Sequence, residues 1–295
     1  MRLLNNTNFD FINLFSKSIP LSVLLIMIGI GSMIFKGGPK LGIDFTGGYE
    51  LRISINEYNL ASVRSDIQNN GYGQAIIVPG RSTENSKRVL IITTKKELKV
   101  SDLERILGRE DIDRESSRFI GPSIGNEMST QAFQAVLMAI FLILSYISLR
   151  FDKFYALGSI SALVHDIAIT LGIFSLLNYE INLNIIAAFL TILGYSLNDT
   201  IVVFDRIREN ISENVKGTME QVANISLNQT LSRTVITSLT TLLVLLTLYL
   251  FGGDILEKFA FALLIGVIVG TYSSIFVASP VMLYLEKKYK NKKDK

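Results

Sequence analysis

The sequence predicts an α-helical polytopic membrane protein with six transmembrane helices and an α+β domain inserted between the first two. Three observations support this fold class. The chain has a mean hydropathy of +0.39 and is 49% hydrophobic, which is high for a soluble protein of ordinary composition. Six apolar segments are long enough to cross about 30 Å of hydrocarbon as helices. The polar segment between the first two is of domain size and too long for a simple loop.

The apolar segments divide the chain into four predicted regions. The predicted helices cover residues 18–36, 131–149, 154–177, 181–204, 234–252 and 257–284. The regions are an N-terminal segment with the first helix (1–36), an exported domain (37–130), the other five helices (131–285) and a basic tail (286–295).

Lysine and arginine residues in the short loops predict the orientation, because such loops stay on the cytoplasmic side. One side collects Arg2, Lys17, Arg150, Lys153, Arg206, Arg208, Lys216, Arg233 and the six lysines after Leu285. The short loops on the other side, 178–182 and 253–256, contain no lysine or arginine. Both termini are therefore predicted to be cytoplasmic, with the exported domain outside. The first helix is interpreted as an uncleaved anchor, since its apolar run exceeds that of a signal peptide.

The exported domain alternates strand and helix patterns. Apolar and polar side chains alternate over residues 49–55, as in a half-buried strand. The elements that follow are a helix over 60–67, strands at 75–78 and 89–92 joined by a polar turn at 80–87, a helix opened by a capping box at 101–104, and a strand at 114–120. This βαββαβ order predicts a ferredoxin-like split βαβ sandwich.

Nothing in the exported domain indicates catalysis. Its carboxylates Asp44, Glu50, Asp102 and Asp111 are predicted to be solvated surface groups. Two adjacent glycines at 47–48 predict a sharp bend where the chain leaves the membrane. The chain has no Cys and one His, which excludes disulfides and argues against thiolate or imidazole metal sites. No cofactor and no bound metal are therefore expected.

Small residues at i, i+4 spacing predict close packing on two helices. The third helix carries Gly158, Ala162, Asp166 and Thr170, and the sixth carries Gly266, Gly270, Ser274 and Ala278. The stripe on the third helix also presents the Asp166 carboxylate to its partner. His165 lies about 100° around the helix from Asp166, so the two side chains need not act as a pair. The partner of the sixth-helix stripe, within the bundle or in another subunit, stays open.

Asp199 is the most informative residue of the sequence. A carboxylate inside an apolar run is costly in hydrocarbon, so it should face a protein interior or a wet cavity. Asp199 lies roughly 9 Å inside the charged end of the fourth helix. Arg233 opens the fifth helix on the same side, and its long side chain can extend inward. We therefore predict Arg233 as the counter-charge of Asp199, beside a fifth helix rich in hydroxyl groups.

The segments at the cytoplasmic side carry four further expectations. Charges at 205–209 should form a solvated helix end in which Asp205 meets Arg208 and Arg206 meets Glu209. Residues 209–230 are amphipathic, which predicts an interfacial helix on the membrane. Pro280 is expected to bend the end of the sixth helix. The basic tail should lie on anionic lipid or ribosomal RNA, if it does more than set the topology.

Three functions of different classes fit these features. An ion-coupled transporter or motor would use a carboxylate whose proton affinity is raised by burial and lowered by a nearby arginine. An intramembrane aspartyl protease would use Asp166 and Asp199, although neither has the Gly-x-Gly-Asp signature of that class. The serine motif of other proteases is incomplete at 194–198, which lacks the second glycine. A non-catalytic assembly subunit would use its polar groups only to hold helices together.

Six stretches of the sequence together resemble the SecF family, the smaller membrane subunits of the SecDF protein-translocation accessory complex. They are LGIDFTGG (41–48), FIGPSIGNE (119–127), LVHD (163–166), GYSLNDTIVVFDRIREN (194–210), SRTVITSLTTLL (232–243), and FGG (251–253) followed by FALLIGVIVGTYSSI (261–275). The similarity runs nearly end to end, and the fourth-helix stretch is specific to the family. No family motif is recognised between about 56 and 118.

The resemblance implies a fold like half of an RND-type transporter, paired pseudosymmetrically with SecD. It implies a non-enzymatic, multi-pass subunit of the bacterial inner membrane that uses the proton-motive force to promote late steps of polypeptide translocation. The implied partners are SecD, the SecYEG channel, the unfolded polypeptide, YajC and the lipid bilayer, with no nucleic acid. Our mechanistic hypothesis is that Asp199 exchanges a proton at the SecD–SecF interface, with Arg233 tuning it and Asp166 helping.

Overall fold

In a computed structural model of the chain, the described residues are 7–73, 75–80 and 88–293. The helices are α1 (Phe11–Phe35), α2 (Ile43–Thr46), α3 (Leu60–Asn69), α4 (Val100–Leu107), α5 (Pro122–Arg150), α6 (Lys153–Leu176), α7 (Leu183–Ser212), α8 (Met219–Phe251), α9 (Gly253–Ser273) and α10 (Ser279–Lys293). The strands are β1 (Gly48–Ile55), β2 (Ile76–Gly80), β3 (Arg88–Thr94) and β4 (Asp113–Ile120). A π-helical turn at Ser274–Ala278 joins α9 to α10.

Six helical segments of the described chain are long and apolar enough to cross a membrane. They are α1, α5, α6, α7, α8 and the run Leu256–Tyr289 through α9 and α10. The number agrees with the sequence prediction, but several helices extend beyond the predicted ends. The predicted interfacial helix at 209–230 is wrong, because these residues continue α7 and begin the 33-residue α8. Ala223 and Leu227 of this segment are buried in the core of the bundle.

Three of the six spans form the centre of the bundle. The most apolar windows of α6, α7 and the run 256–289 are 56, 44 and 50% buried, against 17, 6 and 17% for α1, α5 and α8. Glycines allow this close packing. A Cβ atom on Gly158 of α6 would lie 2.6 Å from the carbonyl oxygen of Ala278, and one on Gly172 would lie 2.7 Å from Cα of Gly29. Both distances are shorter than any real Cβ contact, so a larger residue would force the helices apart.

The domain inserted between α1 and α5 contains a four-stranded antiparallel sheet with strand order β2-β3-β1-β4. Its elements follow the predicted order βαββαβ, with α3 and α4 packed on one face of the sheet. The core between sheet and helices includes Ile53, Ile67, Leu90, Ile92 and Leu103, all fully buried. The sheet is joined to the membrane helices at two points: α1 leads through α2 into β1, and β4 leads through Gly121 into α5.

Two details of the inserted domain differ from the sequence predictions. The predicted capping box at 101–104 is wrong: the N-cap of α4 is Lys99, which has no side-chain acceptor, and only the Asp102 carboxylate caps a backbone donor, the Lys99 N–H at 3.2 Å. Asp44 is not a solvated surface group, since only 6% of the residue is exposed. Positive φ angles at Gly47 (65°) and Gly48 (132°) explain why this bend requires glycine. The described residues do not include Arg2, most of the predicted turn at 80–87 or the last two residues of the tail.

Candidate functional site: two buried carboxylates in the membrane bundle

Asp199 lies on α7 inside the helical bundle, and only 3% of the residue is exposed. Its Oδ2 atom is buried and has no hydrogen-bond partner among the described residues. Ser238 of α8 and the neighbouring Asn198 interact with the carboxylate, and the guanidinium of Arg233 attracts it electrostatically. No direct ion pair joins Asp199 to Arg233 in the described chain. Asp199 is therefore a buried acid whose hydrogen-bonding capacity is incompletely used.

A group of hydroxyls lies beside Asp199 where α7, α8 and α9 meet. Ser238 shares a hydrogen bond of 2.6 Å with Thr271 of α9, and the Tyr195 hydroxyl lies 3.5 Å from the hydroxyls of Ser238 and Thr241. Other threonines of α8 return their hydroxyls to carbonyls of their own helix, as Thr240 does to Ile236. Of the hydroxyls predicted on this helix, Ser238 is therefore the one that links Asp199 to the neighbouring helices.

A polar cavity of about 930 Å³ lies between the C-terminal half of α7 and the N-terminal half of α8. Its walls include Asn198 and Arg233, which flank Asp199 in the structure. The remaining lining residues are Thr7, Asn8, Ile201, Val202, Asp205, Arg206, Glu209, Asn224, Ile225, Asn228, Gln229, Thr230 and Ser232. A cavity of this size and polarity can hold water, and it reaches Asn198 and Arg233, although Asp199 itself is not among its lining residues.

Asp166 on α6 is fully buried and, unlike Asp199, is fully hydrogen-bonded. Its Oδ2 atom accepts the hydroxyls of Ser196 on α7 at 2.5 Å and Ser273 on α9 at 2.8 Å. Its Oδ1 atom lies 2.8 Å from Nδ1 of His165. Their spacing on the helix left this pairing open, and the side-chain torsions bring the two groups together despite the angle between their Cα–Cβ bonds. Asp166 thus joins three central helices.

The two carboxylates face different partners, and no hydrogen bond or ion pair joins them in the described chain. Ser196, which binds Asp166, precedes Asp199 by three residues on α7 but points to α6 and α9. An aspartyl protease needs two carboxylates close enough to share a proton. Since Asp166 already accepts two serine hydroxyls and contacts His165, the arrangement does not match such a dyad.

The predicted packing stripe of the sixth span lies against α7 and α6. A Cβ atom on Gly266 would lie 2.2 Å from Cγ1 of Ile192, and one on Gly270 would lie 3.0 Å from Cβ of Ser196. Ser274 and Ala278 of the same stripe are fully buried. Ala162 on the facing stripe of α6 is fully buried as well. In this structure the stripe is therefore occupied by helices of the same chain.

Charged residues at the end of α7 are paired across elements. Arg206 donates to Glu209 at 2.6 Å, as predicted. Asp205 lies 4.0 Å from Arg208, the predicted partner, but accepts a closer pair of hydrogen bonds, at 2.8 and 3.0 Å, from Arg150 at the end of α5. These charges are partly exposed and connect helix ends.

Sequence reasoning missed the two serine partners of Asp166, Ser196 and Ser273, and the separate buried contact of Asp44. Ser273 adjoins the predicted small-residue stripe, but its role depends on Asp166, which lies 107 residues earlier in the chain. Asp44 accepts hydrogen bonds from partners far along the chain, Arg118 and Leu183. Its presence within an otherwise apolar and glycine-rich stretch was the available signal. The described residues contain no group of three or more side chains that could hold a metal ion.

Comparison with known proteins agrees with these features. Residues 99–288 match the family model described as protein export membrane protein SecD/SecF, C-terminal. The chain is 43% identical to the protein translocase subunit SecF of Thermodesulfovibrio yellowstonii, over 97% of this chain and 98% of that protein. It is 42% identical to the SecF subunit of Vibrio alginolyticus, over 83% and 79% of the two chains.

Two solved structures share the fold. A crystal structure of SecDF from Thermus, a translocon-associated membrane protein, superposes with a TM-score of 0.86 at 37% identity and covers 97% of this chain. A SecDF structure in a super-membrane-facing form gives a TM-score of 0.74 at 36% identity and covers 99%. In both cases the chain spans 40% of the length of the SecDF protein. From this similarity over nearly its whole length, the chain belongs to the SecF family of protein translocase subunits.

Proposed function

We propose that this chain acts with SecD in the Sec machinery and uses the proton-motive force to promote late steps of polypeptide translocation across the bacterial inner membrane. The observation that carries the proposal is the Asp199 carboxylate, buried in the bundle with one unpartnered oxygen beside a polar cavity. The further partners of the chain are the SecYEG channel, the unfolded polypeptide and YajC. The chain has no enzymatic activity and requires no cofactor.

The chemistry of the site supports proton exchange at Asp199. Burying an ionised carboxylate without full hydrogen bonding costs free energy, and uptake of a proton removes that cost. The attraction of Arg233 acts only on the ionised form, so it opposes uptake and sets the balance. The polar cavity between α7 and α8 supplies a water-accessible route on one side. The charged and the neutral form of Asp199 then favour different packing of α7 against α8.

Asp166 has a supporting role in this proposal. Its carboxylate holds α6, α7 and α9 together through Ser196 and Ser273. Both oxygens of this buried carboxylate are hydrogen-bonded, and such bonding favours a single arrangement. We propose that it keeps the centre of the bundle rigid, so that the change at Asp199 is directed to α8 and the outer face.

The same proposal extends to architecture and topology. The sheet order β2-β3-β1-β4 supports a ferredoxin-like exported domain over 37–130. The bundle of residues 131–285, with the first helix in 1–36, forms half of an RND-type transporter, and SecD supplies the other half. The largely unburied windows of α1, α5 and α8 leave surface for SecD and lipid. Both termini and the basic tail, 286–295, lie in the cytoplasm.

Asp199→Asn tests the proposal, because the amide keeps the shape of the neutral carboxyl and cannot ionise. The complex with its SecD is reconstituted into vesicles with SecYEG, and export is measured with and without an imposed proton gradient. We expect Asp199→Asn to reduce export to the level without the gradient. Asp152→Asn, at an exposed carboxylate before α6 that has no cap hydrogen bond and does not line the cavity, is the matched control and should retain the response. Full gradient-driven export by an assembled Asp199→Asn complex would refute the proposal.

A further inference from the structure

The exported domain and the membrane helices meet at one buried carboxylate, Asp44, which the proposed function does not use. Its Oδ1 atom accepts a hydrogen bond of 2.8 Å from Nη2 of Arg118 on β4. Its Oδ2 atom accepts the backbone N–H of Leu183, the first residue of α7, at 3.0 Å. One side chain therefore bonds the sheet and the helix that carries Asp199.

The backbone just before Asp44 is bonded to the segment that leads into α7. The N–H of Gly42 donates to the carbonyl of Ile181 at 2.8 Å, and the N–H of Ile181 donates to the carbonyl of Lys40 at 2.7 Å. Leu41 and Ile181 thus form a parallel bridge just before α7 begins. The segment 40–44 and the start of α7 are connected by two backbone bonds and one carboxylate.

Glycines close the other side of this junction. A Cβ atom on Gly125 of α5 would lie 2.9 Å from the backbone nitrogen of Gly47. A Cβ atom on Gly48, where β1 begins, would lie 2.6 Å from the carbonyl oxygen of Thr94 on β3. Because the backbones touch, segment 40–48 cannot move without α5 or the sheet moving as well.

The position of Leu183 gives the contact its significance. Leu183 and Asp199 lie on one continuous helix and are separated by about 24 Å, at about 1.5 Å per residue. A rotation or shift of α7 at the level of Asp199 therefore displaces Leu183 and the carboxylate bonded to it. Arg118 is paired through β4 with β1 at the centre of the sheet, so the displacement reaches the whole domain.

We propose that Asp44 is a positioning residue that couples the movement of α7 to the exported domain. The coupling rests on the proposed function only for the cause of the α7 movement. An ionised carboxylate suits the task because each oxygen accepts one donor, and bonds to charged groups are stronger than neutral ones. An asparagine at this position turns one acceptor into a donor, which faces either Arg118 or the Leu183 N–H and breaks one of the two bonds.

Distance measurement between two spin labels tests the proposal. The chain has no native cysteine, so Gln68→Cys on the exposed face of α3 and Leu177→Cys at the end of α6 provide unique labelling sites. The full chain, in complex with its SecD in lipid nanodiscs, is compared with and without Asp199→Asn. With Asp44 intact, we expect Asp199→Asn to shift the distance. With Asp44→Asn, we expect a broader distribution and loss of the Asp199→Asn shift.

Two further variants control for folding and for general effects on the domain. Arg118→Lys keeps the positive charge and should preserve the narrow distribution, whereas Arg118→Gln should broaden it while leaving the Leu183 bond intact. Asp111→Asn breaks a comparable ion pair with Arg109, at 2.8 Å, that does not touch the membrane helices, and should match the unmodified protein. A narrow distribution that still shifts in both Asp44→Asn and Arg118→Gln would overturn the proposal. If Asp44→Asn broadens the distribution but Asp199→Asn never shifts it, the junction stands and the proposed function fails.

Discussion

The two faces of α7 differ in how completely they are packed and hydrogen-bonded. One face, with Ile192 and Ser196, lies against Gly266 and Gly270 of α9 and supplies a hydroxyl to Asp166. The other face carries Asp199, with an unpartnered carboxylate oxygen and a polar cavity beside it. The same helix therefore has a closed side and an open side.

This difference separates two roles that are indistinguishable in the sequence. A buried carboxylate whose oxygens are all bonded stabilises one arrangement, and changing its protonation would break the network. A buried carboxylate with an unused oxygen near water can change protonation at lower cost, and unsatisfied buried groups in native proteins often have functional roles. Asp166 has the first environment and Asp199 the second.

The largest expected effect comes from truncating the two carboxylates in turn. Asp166→Ala removes the acceptor shared by Ser196, Ser273 and His165, and each buried donor left unsatisfied costs about 1–3 kcal/mol. Asp199→Ala removes an incompletely satisfied group and should cost clearly less. Thermal unfolding of the two variants in the same detergent measures the difference. Equal destabilisation would contradict the distinction between the two faces.

A smaller effect is expected from filling the closed face of α7. Gly266→Ala places a methyl group 2.2 Å from Ile192, and overpacking of this kind costs about 1–3 kcal/mol. Gly194→Ala, on α7 itself, has no atom within 4 Å of the new methyl group and should stabilise the helix by up to about 1 kcal/mol. The unfolding temperatures of the two variants should therefore move in opposite directions. If adding Ile192→Ala restored the stability of the Gly266→Ala variant, the loss of stability would arise at this contact.

The smallest effect concerns a third carboxylate, Glu180, in the loop between α6 and α7. Burial raises the pKa of Glu180, while Lys258 partly offsets the rise. The folded state therefore binds more protons than the unfolded state between the ordinary and the raised value. The stability from this group is complete below the ordinary pKa and is lost as pH rises through the raised one. Glu180→Gln should remove this pH dependence, and its unfolding temperature, relative to that of the unmodified protein, should rise with pH. If the difference in unfolding temperature between Glu180→Gln and the unmodified protein did not change with pH, protonation of Glu180 would not be linked to stability.

Local patterns in the sequence account for much of the fold. The six long helices and the order of strands and helices in the domain inserted between α1 and α5 follow from hydrophobic periodicity, which is visible within a few residues of the sequence. The depth of Asp199 and its proximity to Arg233 were also predictable, because both follow from distance along two helices from the same charged boundary. These features require no knowledge of which helices are neighbours.

Other features were decided by the tertiary structure alone. The pairing of His165 with Asp166 depends on side-chain torsions, and the serine ligands of Asp166 come from two other helices. Asp44 can be buried because Leu183, 139 residues later, donates its backbone N–H to the carboxylate at the start of α7, where helix geometry provides no other acceptor. By itself, the sequence determined where helices run and which acid lies within them, because apolar patterning is local. Which acids are satisfied depended on partners brought together by packing, and no local pattern encodes that choice.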